Sequence, residues 1–319
     1  MNRAQHRIFW RWSAALVWSA VGCTPDSDPY REPYSVAAPD HFGPRASWAA
    51  SEWPTQASVA LGKKLFEDPR LSRDEQVSCA TCHKPNGHFS DPGVPVSPGV
   101  FGRTGKRNTP ALSNLAWRPY FMLDGGINHL EVLPLAPFTE PTEHDLEFGE
   151  VVRKVRTGGY RADFRRAYGD DSIYSSRLLQ ALAHYQLTLI SDQTRWDSVQ
   201  RGLARWTSLE EWGNRVFQKH CGSCHSGAQF SSFAFSQHSP LGAEDLGRSR
   251  VTQRPEDYGF YRIPSLRNWG WTAPYGHAGQ WPTWEAAVQA FEQGQNASLT
   301  EKEKNALYAF LVTLNDPAP

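Results

Sequence analysis

The chain has 319 residues, which is long enough for one large domain or two domains of ordinary size. It carries 33 basic and 33 acidic residues, so its zero formal charge gives no electrostatic reason to expect nucleic-acid binding. It also contains thirteen tryptophans, a high number that either packing or electron transfer through indole rings would explain.

The N-terminal residues have the parts of an export signal. A basic segment, MNRAQHRIFWRW, precedes the short apolar stretch SAALVWSAVG, and Cys23 follows small residues. The apolar stretch is shorter than the about 20 residues that span a bilayer. Residues 1–22 therefore predict a lipoprotein-type signal peptide with Cys23 as the lipidated residue; the alternative is an ordinary signal peptide cut nearby. Both predict a periplasmic protein, and the first predicts one anchored to a membrane by lipid.

The segments between this leader and the middle of the chain differ in composition. Residues 23–50 are rich in Pro, Asp and Ser and predict a disordered tether. VALGKKLFEDPRLS then has the apolar spacing of a helix, which Pro69 would end. Residues 84–145 contain many Gly and Pro residues and predict long loops. Helical periodicity returns over residues 145–168 and 174–190.

Four of the five cysteines lie in two copies of Cys-x-x-Cys-His. This pattern is typical of covalent haem attachment, in which two thiols add to the haem vinyl groups and the histidine binds the iron. One copy alone would also suit a zinc half-site or a redox dithiol. Two copies, without the histidine spacing of a Cys2His2 zinc site, predict two covalently bound c-type haems. The predicted attachment residues are Cys79, Cys82, His83, Cys221, Cys224 and His225, with His83 and His225 as the iron ligands.

The second half of the chain repeats the pattern of the first. TSLEEWGNRVFQKHCGSCH predicts a helix capped by Thr207 or Ser208, and SLTEKEKNALYAFLVTL has the same cap-plus-helix signature. LGKKLFEDPRLSRDEQVSCATCH parallels WGNRVFQKHCGSCH. The repeat predicts a mostly α fold with two tandem cytochrome-c-like haem domains, residues 51–200 and 201–319, with long Gly/Pro-rich loops.

Several segments, taken together and in order, resemble the bacterial di-haem cytochrome c peroxidase and MauG superfamily over roughly residues 55–315. They are LGKKLFEDPRLS, SCATCH, GKRNTPALSN, LDGG, CGSCHSG, DLGR, IPSLRNWGWTAPYGHAG and LTEKEKNALYAFLVTL. LDGGINHLEVLPLAPFTEPTEH is most similar to the methanobactin-associated enzymes of the MbnH type, which oxidise tryptophan in a partner protein.

The resemblance implies an enzyme that uses hydrogen peroxide to form high-valent haem iron and then oxidises a Trp or Tyr of a periplasmic partner, an MbnP-like protein. A first alternative is a peroxide-detoxifying cytochrome c peroxidase that draws electrons from a small redox protein. A second alternative is a non-enzymatic electron-transfer cytochrome, which would need two six-coordinate haems.

The resemblance also implies that the first haem, on His83, reacts with peroxide. Val100 stands where peroxidases of the family carry a histidine that can cap this haem, so we expect an open, five-coordinate iron. Glu143 matches the family's catalytic acid and Pro137 its distal proline. From the sequence alone, Glu143 could equally be a solvated loop carboxylate, and His144 is interpreted as a loop residue.

The family has a calcium site between its haems, formed by an asparagine side chain and backbone oxygens. Asn108, Thr272 and Pro274 stand at those positions, and calcium accepts amide and carbonyl oxygens. Without the resemblance, Asn108 would be interpreted as a turn residue. The expectation is one Ca²⁺ in addition to two haems.

Two positions depart from the family pattern. Leu123 replaces the tryptophan that relays electrons between the haems, so Trp269 and Trp271 are the first candidates for that role, with packing as the alternative. Phe291 stands where the second haem's sixth ligand is expected, so this haem lacks a family-type axial ligand. His277 is expected near the haem propionates rather than on the iron.

Overall fold

The computed structural model describes residues 32–36, 39–50, 54–237 and 245–318. The predicted signal peptide and Cys23 lie outside these residues. The described parts contain eleven α-helices and one antiparallel pair of two-residue strands, so the mostly α class is confirmed. The helices are α1 Gln56–Phe66, α2 Cys79–Cys82, α3 Leu135–Thr139, α4 Phe148–Thr157, α5 Arg161–Tyr168, α6 Ser175–Leu187, α7 Arg195–Gln200, α8 Ser208–His220, α9 Ser249–Thr252, α10 Trp284–Gln295 and α11 Glu301–Val312. The strands are β1 Phe235–Ser236 and β2 Tyr261–Arg262.

Within the described ranges, no helix combines the length and the apolar character that a membrane crossing requires.

Two helix crossings organise the fold, and a glycine lies at each. Helix α1 packs on α6, and helix α8 packs on α11. A β-carbon on Gly62 would overlap the carbonyl group of Ala181, and one on Gly213 would overlap that of Ala306. The sequence repeat thus has a structural counterpart, because in both halves the helix before the Cys-x-x-Cys-His motif approaches its partner helix backbone to backbone.

The helix starts follow local sequence signals. Thr207, not Ser208, caps α8 and forms a capping box with Glu210. Thr300 caps α11 in the same way with Glu303. These boxes satisfy backbone N–H groups that the first helical turn leaves without partners, which explains why both helices begin where the sequence predicts.

Apolar side chains form two large buried clusters. The first is centred on α1 and α6 and includes Leu65 and Leu182. The second is centred on α8 and α11 and includes Phe217 and Phe310. One cluster lies in each half of the chain, although the boundary between residues 200 and 201 stays a prediction.

Residues 145–168 form two helices instead of the continuous periodic segment that the sequence suggests. Helix α4 ends at Thr157 and α5 begins at Arg161. Gly158 and Gly159 lie between them, and Gly159 has a φ of 84°, a left-handed conformation that glycine adopts without steric cost. The glycine pair therefore breaks the helix.

The predicted disordered tether of residues 23–50 is corrected for its C-terminal part. Phe42 is buried against Trp117, with ring centroids 5.0 Å apart. His41 Nε2 lies 2.7 Å from Asp197 Oδ1, and the N–H of Ala46 donates to a backbone carbonyl. Aromatic burial outweighs the polar composition here, so this stretch packs on the folded chain.

The two crossing glycines yield a stability prediction. Gly62→Ala and Gly213→Ala should each destabilise the protein by about 1–3 kcal/mol, because the added methyl group overpacks the crossing. Gly294→Ala in α10 is the matched control, since nothing lies within 4 Å of its β-carbon position. Helix propensity should make the control neutral or more stable by up to about 1 kcal/mol. Denaturant unfolding measures all three; a neutral result at both crossings contradicts the packing argument.

Candidate haem sites and their surroundings

The first attachment motif lies on a short helix followed by a fixed histidine. Cys79 and Cys82 are three residues apart on α2, so their thiols share a face. His83 Nδ1 donates to the carbonyl oxygen of Phe89 at 2.8 Å, a contact that would leave Nε2 as the nitrogen to bind an iron. Burial lowers the pKa of His83 to about 4, so the imidazole is neutral, as metal ligation requires.

The second motif repeats this arrangement. Cys221 follows the last residue of α8, and His225 Nδ1 donates to the carbonyl of Phe230 at 3.0 Å. Phe89 and Phe230 both have left-handed backbones, with φ of 63° and 49°. Two separate loops therefore orient the two proximal imidazoles in the same way.

Burial of the thiols disfavours the alternative of a redox dithiol. Burial raises the pKa of Cys79 to about 12, that of Cys82 to about 11 and that of Cys221 to about 12. A reactive dithiol needs a thiolate, which a lowered pKa would favour. Covalent attachment to haem remains the chemistry that fits both motifs.

A cavity of about 420 Å³ lies beside the second motif, within the range of sites for organic cofactors. Its lining includes the motif itself and the aromatic and cationic groups named below: Arg118, Cys221, Cys224, His225, Arg262, Trp269, Tyr275, His277, Trp284 and Phe291. The cavity thus joins segments from across the second half of the chain to Arg118 from the first.

Two buried guanidinium groups show that a c-type haem fits this cavity. Arg118 and Arg262 line it, and neither forms an ion pair with a carboxylate of the described residues. Burial lowers the pKa of Arg118 to about 9 and that of Arg262 to about 10, and the charge of Arg262 contributes to the shift of Arg118. Arg262 Nη1 is buried without a hydrogen-bond partner. A haem carries two propionates, the anionic partners that these groups lack.

Glu143 lies near the first motif. Its side chain is exposed, yet many protein atoms lie around its carboxyl group. Its negative charge adds to burial in raising the pKa of both Cys79 and Cys82. Burial raises the pKa of Glu143 itself to about 7, with a further contribution from the charge of Glu140. A carboxyl group with this pKa can both give and take a proton near neutral pH.

The loop at Val100 is bonded to the segment that carries Glu143. Val100 is fully buried, and its N–H donates to the Glu143 carbonyl at 3.0 Å. A β-carbon on Gly99 would overlap the carbonyl group of Thr142, so the two segments are in close backbone contact. The expected five-coordinate iron stays a prediction.

His144 contacts the first motif, which the sequence interpretation as a loop residue missed. Its Nε2 lies 4.0 Å from the Cys79 sulfur, and its Nδ1 donates to the carbonyl of Leu71 at 2.9 Å. The ring is buried, and its backbone N–H donates to the Pro137 carbonyl. Its position directly after Glu143 was the one sequence feature that pointed to the first haem site. The sequence alone cannot show that the His144 ring lies against Cys79.

The predicted calcium residues come together at the second cavity, where Asn108, Thr272 and Pro274 all belong to the lining. The backbone N–H of Asn108 donates to the His277 carbonyl at 2.7 Å, and its side-chain amide donates to the Pro95 carbonyl at 2.9 Å. The described residues contain no cluster of three or more His, Cys, Asp or Glu side chains able to hold a metal. A calcium ion would therefore rely on amide and carbonyl oxygens.

His277 and Phe291 occupy different parts of the second cavity. The His277 ring stacks on Tyr261, with centroids 4.2 Å apart, and burial lowers its pKa. Phe291 lies on α10 and lines the cavity. The expectation that His277 serves the propionates stays a prediction.

The candidate relay tryptophans lie on one turn that contacts both haem regions. Trp269 lines the second cavity. Trp271 stacks on His88, in the loop after the first motif, with centroids 6.3 Å apart. Leu123, at the position of the family's tryptophan, also lines the second cavity. The turn at residues 269–271 therefore connects the two haem regions through aromatic rings.

The chain is similar to known di-haem proteins. A family model described as di-haem cytochrome c peroxidase matches residues 56–205. The methylamine utilization protein MauG of Methylorubrum extorquens is 34% identical over 293 residues, which cover 83% of this chain and 80% of that protein. The cytochrome c peroxidase Ccp of Escherichia coli is 30% identical over 295 residues, which cover 87% of this chain and 62% of that protein.

Two solved structures share the fold. A MauG-like protein associated with microbial copper homeostasis superposes with a TM-score of 0.81 at 25% identity, covering 89% of this chain and 96% of its own. The diheme peroxidase BthA from Burkholderia thailandensis superposes with a TM-score of 0.74 at 21% identity, covering 90% of this chain and 94% of its own.

The buried arginines yield a prediction about redox potential. In the haem-loaded protein, Arg262→Met should lower the reduction potential of the second haem by several tens of millivolts, because a nearby positive charge favours the reduced iron. Arg262→Lys retains the positive charge, so its reduction potential should stay close to that of the unchanged protein. Arg254→Met removes the same charge from an exposed position and should have little effect. Spectroelectrochemical titration decides; an unchanged potential in Arg262→Met places this guanidinium away from the haem.

Proposed function

Since the chain belongs to the di-haem cytochrome c peroxidase family, we propose that it uses hydrogen peroxide to oxidise a Trp or Tyr residue of a partner protein. The chain is a haem oxidoreductase that acts on peroxide, and it carries two c-type haems. The proposal rests on the position of Glu143 beside the first motif. The Glu143 carbonyl accepts a hydrogen bond from the backbone N–H of buried Val100. Val100 stands where peroxidases of the family have a capping histidine.

Glu143 is the proposed proton carrier. His83 would hold a c-type haem, which would supply the redox chemistry with peroxide. Peroxide cleavage requires a proton to move from one oxygen to the other, and a carboxylate above its pKa of about 7 can accept the first proton and return it. Val100 would offer no atom able to bind the iron, so the site would not need prior reduction to open.

The second haem is proposed to share the oxidising equivalents. Arg118 and Arg262 would bind its propionates, with His277 beside them. Trp271 and His88 would provide the aromatic contact towards the first haem that Leu123 does not. This arrangement favours a second haem that shares the oxidising equivalents over one that only receives electrons from a donor.

A calcium ion at Asn108, Thr272 and Pro274 is proposed as a brace between the two haem regions. The hydrogen bonds from Asn108 to His277 and from Gly93 to Ala273 already bring these segments together. We also propose a periplasmic location with a lipid anchor at Cys23, since c-type haem is attached outside the inner membrane. An MbnP-like protein is the proposed partner, because a MauG-like structural relative is associated with copper homeostasis.

Peroxide detoxification with electrons from a small redox protein is the second candidate. The identity to the Escherichia coli peroxidase favours it. Phe291 at the second cavity disfavours it, because an electron-entry haem in such peroxidases has a sixth ligand at that position.

Glu143 yields a pH-dependent prediction. Glu143→Gln should slow the reaction of the ferric protein with peroxide by about 10²–10⁴-fold, because no carboxylate carries the proton. In the unchanged protein, the rate should fall as the pH drops below about 7, where Glu143 becomes protonated. Glu140→Gln removes a like charge that raises the pKa of Glu143, so the fall should move to lower pH. Stopped-flow absorbance measures each profile; a profile unchanged in Glu143→Gln excludes the role.

Partner oxidation is tested with the resting ferric protein, hydrogen peroxide and a purified MbnP-like protein. Peptide mass spectrometry should show an oxidised Trp or Tyr in the partner, and the yield should collapse with Glu143→Gln, which keeps the fold. If the partner stays unmodified while reduced cytochrome c is oxidised rapidly, peroxide detoxification replaces the proposal.

A further inference from the structure

A surface groove lies directly behind one wall of the second haem cavity. The groove has a volume of about 990 Å³ and is lined by residues of α7, α10, α11 and the C-terminal segment. It shares three lining residues with the cavity, Trp269, Tyr275 and Trp284. A single layer of aromatic side chains therefore separates the haem site from the groove.

The aromatic layer extends to an exposed tyrosine. Tyr308 lies in the groove and is 42% exposed, whereas Trp269 is 9% exposed. The ring centroids of Trp284 and Tyr308 are 4.9 Å apart, those of Trp269 and Tyr308 are 5.9 Å apart, and those of Trp269 and Trp284 are 6.5 Å apart. Each step between rings is a contact, so no gap interrupts the path from surface to cavity.

We propose that Tyr308, Trp284 and Trp269 carry electrons from the groove to the second haem site, and that the groove is where the electron donor is oxidised. This route deepens the proposed function and rests on it. The rim of the groove suits an aromatic side chain of a protein donor, because Leu203 is 76% exposed and Val312 is 44% exposed.

The redox balance of the route is complete. Tyr308 gives one electron to the tryptophans and its phenolic proton to water. The resulting tyrosyl radical takes an electron and a proton from the donor. Trp269 passes the electron only, because its indole N–H donates to the Leu311 carbonyl at 2.6 Å, which cannot accept the proton. Two electrons and two protons reduce one hydrogen peroxide to two water molecules.

The test maps radicals on the enzyme itself. The haem-loaded protein is treated with peroxide and a nitroso spin trap, without donor, and labelled residues are identified by peptide mass spectrometry. Tyr308 should be labelled, and Trp284→Phe and Trp269→Phe should each reduce this labelling severalfold. Their resting optical spectra should match the unchanged protein, which shows that the haem sites remain intact.

Tyr174 is the matched control, because it is 53% exposed but lies at the start of α6 in the first half of the chain. It should be labelled far less than Tyr308. Equal labelling of the two tyrosines, or Tyr308 labelling that both tryptophan variants leave unchanged, overturns the route.

A further variant separates the route from the proposed function. Tyr308→Phe should slow oxidation of the MbnP-like protein and leave the first reaction with peroxide unchanged. If Tyr308→Phe oxidises the partner at the original rate, the route is wrong, whereas the proposed function still stands. Labelled Tyr308 without any partner oxidation contradicts the proposed function and keeps the path as an electron route.

Discussion

The second haem-attachment motif follows a close crossing of two helices at a glycine, and the first half of the fold contains a matching crossing. Gly62 and Gly213 leave no space for a β-carbon, so α1 lies against α6 and α8 against α11 at backbone distance. Because α8 runs directly into Cys221, this crossing sets the start of the second motif. Each crossing also anchors one of the two apolar clusters. Interior packing is dense, so a shift at the crossing of α8 with α11 would move the second motif with its helix.

Buried ion pairs connect the segments around the second cavity. Asp124 is fully buried and accepts from Arg107 and Arg250, each at 2.8 Å, and Arg107 also binds Asp245 at 2.7 Å. Burial alone would raise the pKa of Asp124, but the two guanidinium groups lower it. Breaking such a pair leaves an uncompensated charge in the interior, which is strongly destabilising. The network therefore fixes the relative position of residues far apart in sequence, including those that line the haem cavity.

Local signals in the sequence predicted the helix caps and both Cys-x-x-Cys-His motifs, because each depends on residues within a few positions. The capping boxes at Thr207 and Thr300 are examples. Three other features depend on residues that are distant in sequence. They are the packing of Phe42, the contact of His144 with Cys79, and the absence of a counter-charge at Arg262. A lone arginine in a sequence looks like surface charge. Only the three-dimensional arrangement shows that it is buried and needs an anion.

The groups proposed for proton transfer and those proposed for electron transfer lie beside different attachment motifs. Glu143 lies by the first motif, where burial and the charge of Glu140 raise its pKa to about 7. The aromatic layer of Trp269, Trp284 and Tyr308 lies by the second motif, beside a cavity wall rich in positive charge. Positive charge in a low-dielectric wall would raise the reduction potential of a haem held there, so it would favour electron uptake from the neighbouring rings. In the proposed function, protons would be exchanged beside the first motif while electrons would enter from the surface beside the second.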